Sequence, residues 1–170
     1  MVEVTLAAVK VDLRSKSPVI LLQEISSPGR TLPIFIGTAE ASSIEYAARG
    51  IETPRPLTHD LMRDVLDAIG TEVLRVIVTE LKEGTYFAEL VLLQNKVPIV
   101  VSCRPSDAIA IAVRVGATIY VADELMNAEG LVLVEDDADG DGEEEALESE
   151  EEIVDDFREF LDTLRPEDFS

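Results

Sequence analysis

Residues 73–115 read VLRVIVTELKEGTYFAELVLLQNKVPIVVSCRPSDAIAIAVRV, and this stretch decides the fold. Residues 73–81 and 86–93 are rich in Val, Ile, Leu, Tyr and Phe and flank a turn at 82–85, so they read as a β-hairpin. Residues 97–102 supply a third strand. The pattern then changes, because Pro105 opens an almost wholly apolar helix that runs through Val115. A helix without a polar face is buried on most sides, which places this one centrally.

Upstream the same order recurs. Val2, Val4 and Leu6 alternate with Glu3, Thr5 and Ala7, a period of two that marks a strand over 2–11. A second strand covers 19–24, and a Ser-Ser-Pro-Gly turn leads into a third over 31–36. After Gly37 the period becomes helical, with Ala41, Ile44, Ala47 and Ala48 on one face and Gly50 closing the helix. Thr31-Leu32-Pro33-Ile34 before Glu40-Ala41 is echoed by Lys96-Val97-Pro98-Ile99 before Asp107-Ala108. Duplication of a βββα unit explains the echo, and so does chance similarity of strand-then-helix patterning.

Between the halves, Thr53-Pro54-Arg55-Pro56 is a rigid connector, since a residue before proline is pushed away from helical angles. Thr58 is suited to cap a helix whose Leu61, Met62, Val65, Leu66 and Ile69 form a core stripe, ended by Gly70. Downstream lie a strand over 118–121, a short helix near 123–127 and an apolar run over 131–134. The expectation is an α+β domain over 1–134, with two βββα-like halves forming a mixed, mostly antiparallel sheet packed by helices.

Charge divides the chain. Residues 1–134 hold 12 Lys+Arg against 17 Asp+Glu, a net of −5, whereas 135–170 hold 2 against 18, a net of −16. A body at −5 attracts no polyanion globally, so nucleic-acid binding there depends on local Arg and Lys and falls with salt. Residues 135–152 are too acidic and too poor in apolar side chains to offset the entropy of folding, and are expected to form a disordered linker. Ile153, Val154, Phe157, Phe160, Leu161 and Leu164 then recur at helical spacing, a short amphipathic helix within 153–170. Asp137, Asp139, Asp141, Gly142 and Glu148 match a calcium-loop spacing, but an acidic run fills that pattern easily and a strand precedes it, so calcium is not expected there. The lone Cys103 fits a reducing cytoplasm, no basic-then-apolar leader opens the chain, and no apolar run reaches the roughly 18 residues of a membrane span.

Two polar motifs carry the candidate chemistry. In Arg55-Pro56-Leu57-Thr58-His59-Asp60, the sole histidine sits in the first turn of a helix. It suits proton transfer near neutral pH, or alternatively packs beneath a capped helix start. In Arg104-Pro105-Ser106-Asp107, again at a helix start, Arg104 suits bidentate phosphate binding; the competing reading is an Arg–carboxylate pair locking loops together. Glu40, Asp60 and Asp107 all fall in first helical turns, where a shared cleft would let them act in catalysis and hold Mg²⁺ or Mn²⁺ for phosphodiester hydrolysis. No Gly-rich phosphate loop, nucleophile elbow or Cys/His zinc spacing is present.

Leu32-Pro33-Ile34-Phe35-Ile36-Gly37 with Glu40-Ala41, then Arg55-Pro56-Leu57-Thr58-His59-Asp60-Leu61, then Arg104-Pro105-Ser106-Asp107-Ala108-Ile109, resemble the ordered motifs of the bifunctional nuclease domain family. The resemblance covers about residues 2–134 and implies an α+β domain, cleavage of DNA and RNA, and a homodimer or higher homo-oligomer. The same positions match the family motifs, and their side-chain chemistry makes His59, Asp60, Glu40 and Asp107 the catalytic candidates and Arg55 and Arg104 the phosphate-binding ones. Glu40, Asp60 and Asp107 are the metal candidates. The resulting expectation is a cytoplasmic nuclease acting with metal assistance; its rival is a non-catalytic regulatory or protein-interaction module whose polar motifs are structural.

Overall fold

The computed structural model describes residues 1–26 and 29–132. The acidic linker, the C-terminal helix and the calcium-loop spacing expected from sequence lie outside the described residues. Among the described residues, seven strands and four helices follow in the order β1 (Val2–Asp12), β2 (Ser17–Glu24), β3 (Thr31–Phe35), α1 (Thr38–Ala48), α2 (Thr58–Ala68), β4 (Thr71–Lys82), β5 (Thr85–Gln94), β6 (Val97–Cys103), α3 (Pro105–Val115), β7 (Thr118–Val121) and α4 (Asp123–Glu129). The mixed α+β class read from the pattern is the one observed.

Local chemistry explains the turns. β4 and β5 join through Glu83 and Gly84, and β5 and β6 through Asn95 and Lys96, with positive φ at all four residues. Two consecutive left-handed residues match the right-handed twist of the strands they connect, so these hairpins close tightly.

These seven strands belong to one sheet, ordered β3-β2-β1-β7-β4-β5-β6. Neighbours are antiparallel except β4 and β7, which run parallel with Arg75 opposite Thr118 and Val78 opposite Val121. The two antiparallel triplets thus flank β7, whose other side pairs antiparallel with β1 at Val2–Val121. A parallel neighbour requires a crossover, and α3 provides it between β6 and β7. Its run from Ala108 to Ala112 is fully enclosed, and with Ile20, Leu22, Ile34, Ile44, Val76, Val78 and Val121 it forms the core. Gly116, at φ 69°, ends α3 in a left-handed turn that favours glycine.

Two details depart from the sequence reading. Thr58 is the first helical residue of α2 and Leu57 is its cap; Asp60 Oδ2 reaches back to accept from the Leu57 N–H at 2.9 Å, so the cap is supplied from within the first turn. The expected core stripe of α2 is also largely uncovered, with Leu61 57%, Met62 42%, Val65 49% and Ile69 56% exposed, and only Leu66 packs against the core. The helical period was correct, but α2 lies beside α3 and over β4 with its apolar face turned outward. No helix among the described residues is long and apolar enough to cross a membrane.

A candidate active site joining three helices

α1, α2 and α3 are held together by one continuous polar chain. At its exposed end, Arg104 caps α3 and its Nη2 lies 2.9 Å from Glu40 Oε1, in the first turn of α1. Arg104 also binds Asp107 twice, Nε to Oδ2 at 2.7 Å and Nη2 to Oδ1 at 2.9 Å, the bidentate geometry that guanidinium and carboxylate share. Asp107 Oδ1 is in turn 3.2 Å from His59 Nε2. The other ring nitrogen, Nδ1, is 2.8 Å from Ser43 Oγ, and Arg114 Nη2 donates to the same oxygen at 3.0 Å. Arg114 finally donates from Nε to Asp60 Oδ1 at 2.6 Å and from Nη1 to the Ala110 carbonyl at 2.9 Å.

Gly37 permits the exposed end of this chain. It caps α1 in an extended conformation, and a Cβ there would collide with Glu40 Oε2. The Glu40 carboxylate therefore occupies space that only glycine leaves open.

The chain assigns the hydrogen-bond roles at its centre. Burial pushes the Asp107 carboxyl up, but the bonds from Arg104 and His59 outweigh this and hold it below the ordinary carboxylate range. Ionised Asp107 can only accept, so His59 Nε2 carries the proton. In the neutral ring Nδ1 then accepts the Ser43 hydroxyl hydrogen, leaving the Ser43 lone pairs for Arg114, which can only donate. Asp60 follows the same logic: burial raises it, and Arg114 and the Leu57 N–H lower it further than burial lifts it. The two arginines differ sharply in exposure, the Arg104 side chain at 66% and the Arg114 side chain at 3%.

Of the residues singled out from sequence, the fold links Glu40, Arg104, Asp107 and His59 directly and Asp60 through Arg114 and Ser43. Arg55 stands apart: it is exposed, its carbonyl accepts from Thr53 Oγ1 at 2.6 Å, and it makes no ion pair among the described residues. Ser43 and Arg114 were missed. Arg114 had a signal, being the lone basic residue in an apolar helix that must be buried, where a charge requires a partner. Ser43 had none, since a serine inside a helix is usually a solvent-facing residue.

The carboxylates do not fit a ready-made divalent-cation site. Both Asp107 oxygens, both Asp60 oxygens and Glu40 Oε1 already accept from protein donors, and no three His, Cys, Asp or Glu among the described residues are placed to hold a metal ion. What the arrangement offers is an exposed guanidinium aimed by two carboxylates, backed by a histidine of fixed tautomer.

The motif residues that converge here carry a family signature over most of the chain. The bifunctional nuclease domain matches residues 20–133, and the chain belongs to that family. An uncharacterized protein of Mycobacterium tuberculosis is 43% identical over 169 residues, covering 99% of this chain and 98% of its own length. Bifunctional nuclease 1 of Arabidopsis thaliana is 32% identical over 123 residues, and bifunctional nuclease 2 of Oryza sativa subsp. japonica 31% identical over 121. In both plant comparisons 69% of this chain is matched but only 37% of the relative, so the chain spans little more than a third of those proteins.

Proposed function

We propose that this domain is a nuclease that hydrolyses phosphodiester bonds of DNA or RNA at the Arg104 end of the polar chain. The observation that carries the reading is the convergence of the family-motif residues Glu40, His59, Arg104 and Asp107 from three separate helices onto one connected cluster. Arg104 is the phosphate ligand in this reading, because it is exposed and its fork is already oriented for an oxyanion. A substrate phosphate competes with Asp107 and Glu40 for it. Loss of Arg104 from Asp107 leaves His59 Nε2–H facing a freed carboxylate, a pair suited to moving a proton to or from the reacting oxygen.

One observation favours the rival module. Both ring nitrogens of His59 are already bonded, the residue is 8% exposed, and the cluster holds three carboxylates against two guanidinium groups, a poor match to a polyanion. A cluster so fully paired serves equally as a lock between helices. The two readings separate in a cleavage assay on labelled single- and double-stranded DNA and RNA, with Mg²⁺, Mn²⁺ or chelator, comparing wild type, His59→Ala and Arg104→Ala. Cleavage lost in both variants while their folds persist supports the nuclease reading; a wild type inert under every condition supports the module.

A further inference from the structure

We propose that the tip of the β1–β2 hairpin, residues 10–16, is an arm that binds the backbone phosphates of a nucleic-acid strand whose reacting phosphate sits at Arg104. The choice of a nucleic acid as partner rests on the nuclease reading, whereas the surface itself is separate from the polar chain.

Residues 1–134 carry a net charge of −5, so a polyanion is held only where cations gather without acids. Arg30, Arg49, Arg63, Arg104 and Arg114 are each paired with a carboxylate. Lys10, Arg14 and Lys16 are all exposed, make no ion pair among the described residues and fall within seven residues on one turn. The other unpaired cations, Arg55, Arg75, Lys82 and Lys96, are spread over separate turns and strands. The one acid in the tip, Asp12, is engaged by the turn, its Oδ2 accepting from the Ser15 N–H at 2.8 Å.

The tip stands clear of the rest of the sheet. β1 pairs with β7 only over Val2–Val4, and β3 pairs with β2 no nearer the tip than Val19. One further bond, from the Ile36 N–H to the Pro18 carbonyl at 2.9 Å, ends the contact on that side. Beyond Pro18 and its partner Val11 the hairpin is a two-stranded arm. Its turn is already shaped, with the Lys16 N–H donating to the Asp12 carbonyl at 2.8 Å and the Ser17 N–H to Ser15 Oγ at 3.3 Å, so little order is lost when it binds. Leu13, 75% exposed among these cations, suits contact with an unstacked base.

Ile36 also sets where the arm stands. The residue after it, Gly37, caps α1, and the first turn of α1 carries the Glu40 that binds Arg104 at 2.9 Å. The arm therefore rises beside the start of the helix that holds the exposed guanidinium. A strand whose phosphate takes Arg104 from its carboxylates runs on past the start of α1, and the long stems of Lys10, Arg14 and Lys16 collect the phosphates that follow. An anionic lipid surface offers the same phosphate chemistry, but a narrow arm with one apolar side chain beside a phosphate ligand matches a strand better than a plane.

The test is binding of the full chain to labelled, cleavage-resistant phosphorothioate single strands of DNA, followed by fluorescence anisotropy over a salt series. Each phosphate neutralised on a single strand adds about 0.7 to the slope of log affinity against log salt. Lys10→Gln, Arg14→Gln and Lys16→Gln together are expected to weaken binding about tenfold or more at low salt and to flatten that slope by about 2. Lys82→Gln with Lys96→Gln, away from the arm, is expected to change neither. Cleavage of ordinary DNA and RNA by the same proteins separates this proposal from the nuclease reading. A triple variant that binds like a wild type that cleaves overturns the arm and leaves the nuclease standing. Arm-dependent binding by a wild type that cleaves nothing supports the arm and overturns the nuclease. A wild type that does not bind the strands overturns the arm, as does equal weakening by the two sets of substitutions. Arm-dependent capture by phosphatidylserine–phosphatidylcholine vesicles without strand binding overturns it too.

Discussion

Ser43 and His59 meet through a 2.8 Å hydrogen bond between α1 and α2, both residues being more than nine-tenths buried. Ser43→Ala removes the group that donates to Nδ1 and accepts from Arg114, leaving two polar atoms without a partner. An unsatisfied buried group costs about 1–3 kcal/mol, so the expected loss of stability lies in that range, read by chemical denaturation. Because Ser43 holds Nδ1 as an acceptor, the same variant should increase the share of the Nδ1–H form, visible in the ¹⁵N shifts of the ring. Unchanged shifts would show that the tautomer is fixed by Asp107 alone.

Arg114 and Arg104 bind carboxylates with similar geometry, yet their substitution should differ in cost. Arg114 is enclosed, and Arg114→Ala leaves Asp60 Oδ1 without its cation and takes a donor from Ser43, a loss of about 3–5 kcal/mol for a broken buried pair. Arg104 is mostly exposed, so water replaces much of what Arg104→Ala removes, a change of about 0–1 kcal/mol. Equal denaturation midpoints for the two variants would contradict the difference in burial between the two arginines.

Gly37→Ala should act on the site and spare the core. The added methyl displaces the Glu40 carboxylate while the extended backbone at residue 37 accommodates alanine, so stability falls by no more than about 1 kcal/mol. Whatever binding or cleavage the Arg104 end supports should fall together with that of Glu40→Gln. A Gly37→Ala protein that keeps the activity lost in Glu40→Gln would separate the glycine from the site.

Acid should loosen the β2–β3 connection through Glu24. Arg30 donates to it from Nε at 2.8 Å and Nη2 at 3.0 Å, with Ser26 Oγ at 3.2 Å, and the Arg30 side-chain bond foremost holds its pKa near about 2. A pKa depressed by folding gives stability that is complete above the unfolded-state value of 4.5 and is lost as pH falls toward 2. Asp60 and Asp107, also depressed, add to the same acid limb. Glu24→Gln should flatten the fall in stability measured by urea titration between neutral pH and about pH 2.

The elements were legible because each carries its own period: two for β1, near 3.6 for α1 and α2, and proline-then-apolar for α3. The place of β7 was not, since four residues that pair with Val2–Val4 on one side and Arg75–Val78 on the other leave no local trace of either partner. Nor was the exposure of α2, because Leu61, Met62, Val65 and Ile69 give the same stripe whether the covering surface is the chain's own sheet or something else. At the site, four motif residues met as their helix-start positions suggested. Arg55 did not join them, because the connector that makes it rigid also holds it on the surface, and its place inside is taken by Arg114.

Among the described residues β7 is the last strand to be synthesised and the fourth of seven in space. Until residues 118–121 arrive, β1–β3 and β4–β6 share no strand pairing, and each presents an unfilled inner edge. Four residues near the end of the described chain thus turn two separate ribbons into one sheet. A ribosome making this protein should hold a nascent chain without a complete fold until β7 has cleared the exit tunnel, and a chain stopped before Thr118 should be a substrate for chaperones and proteases.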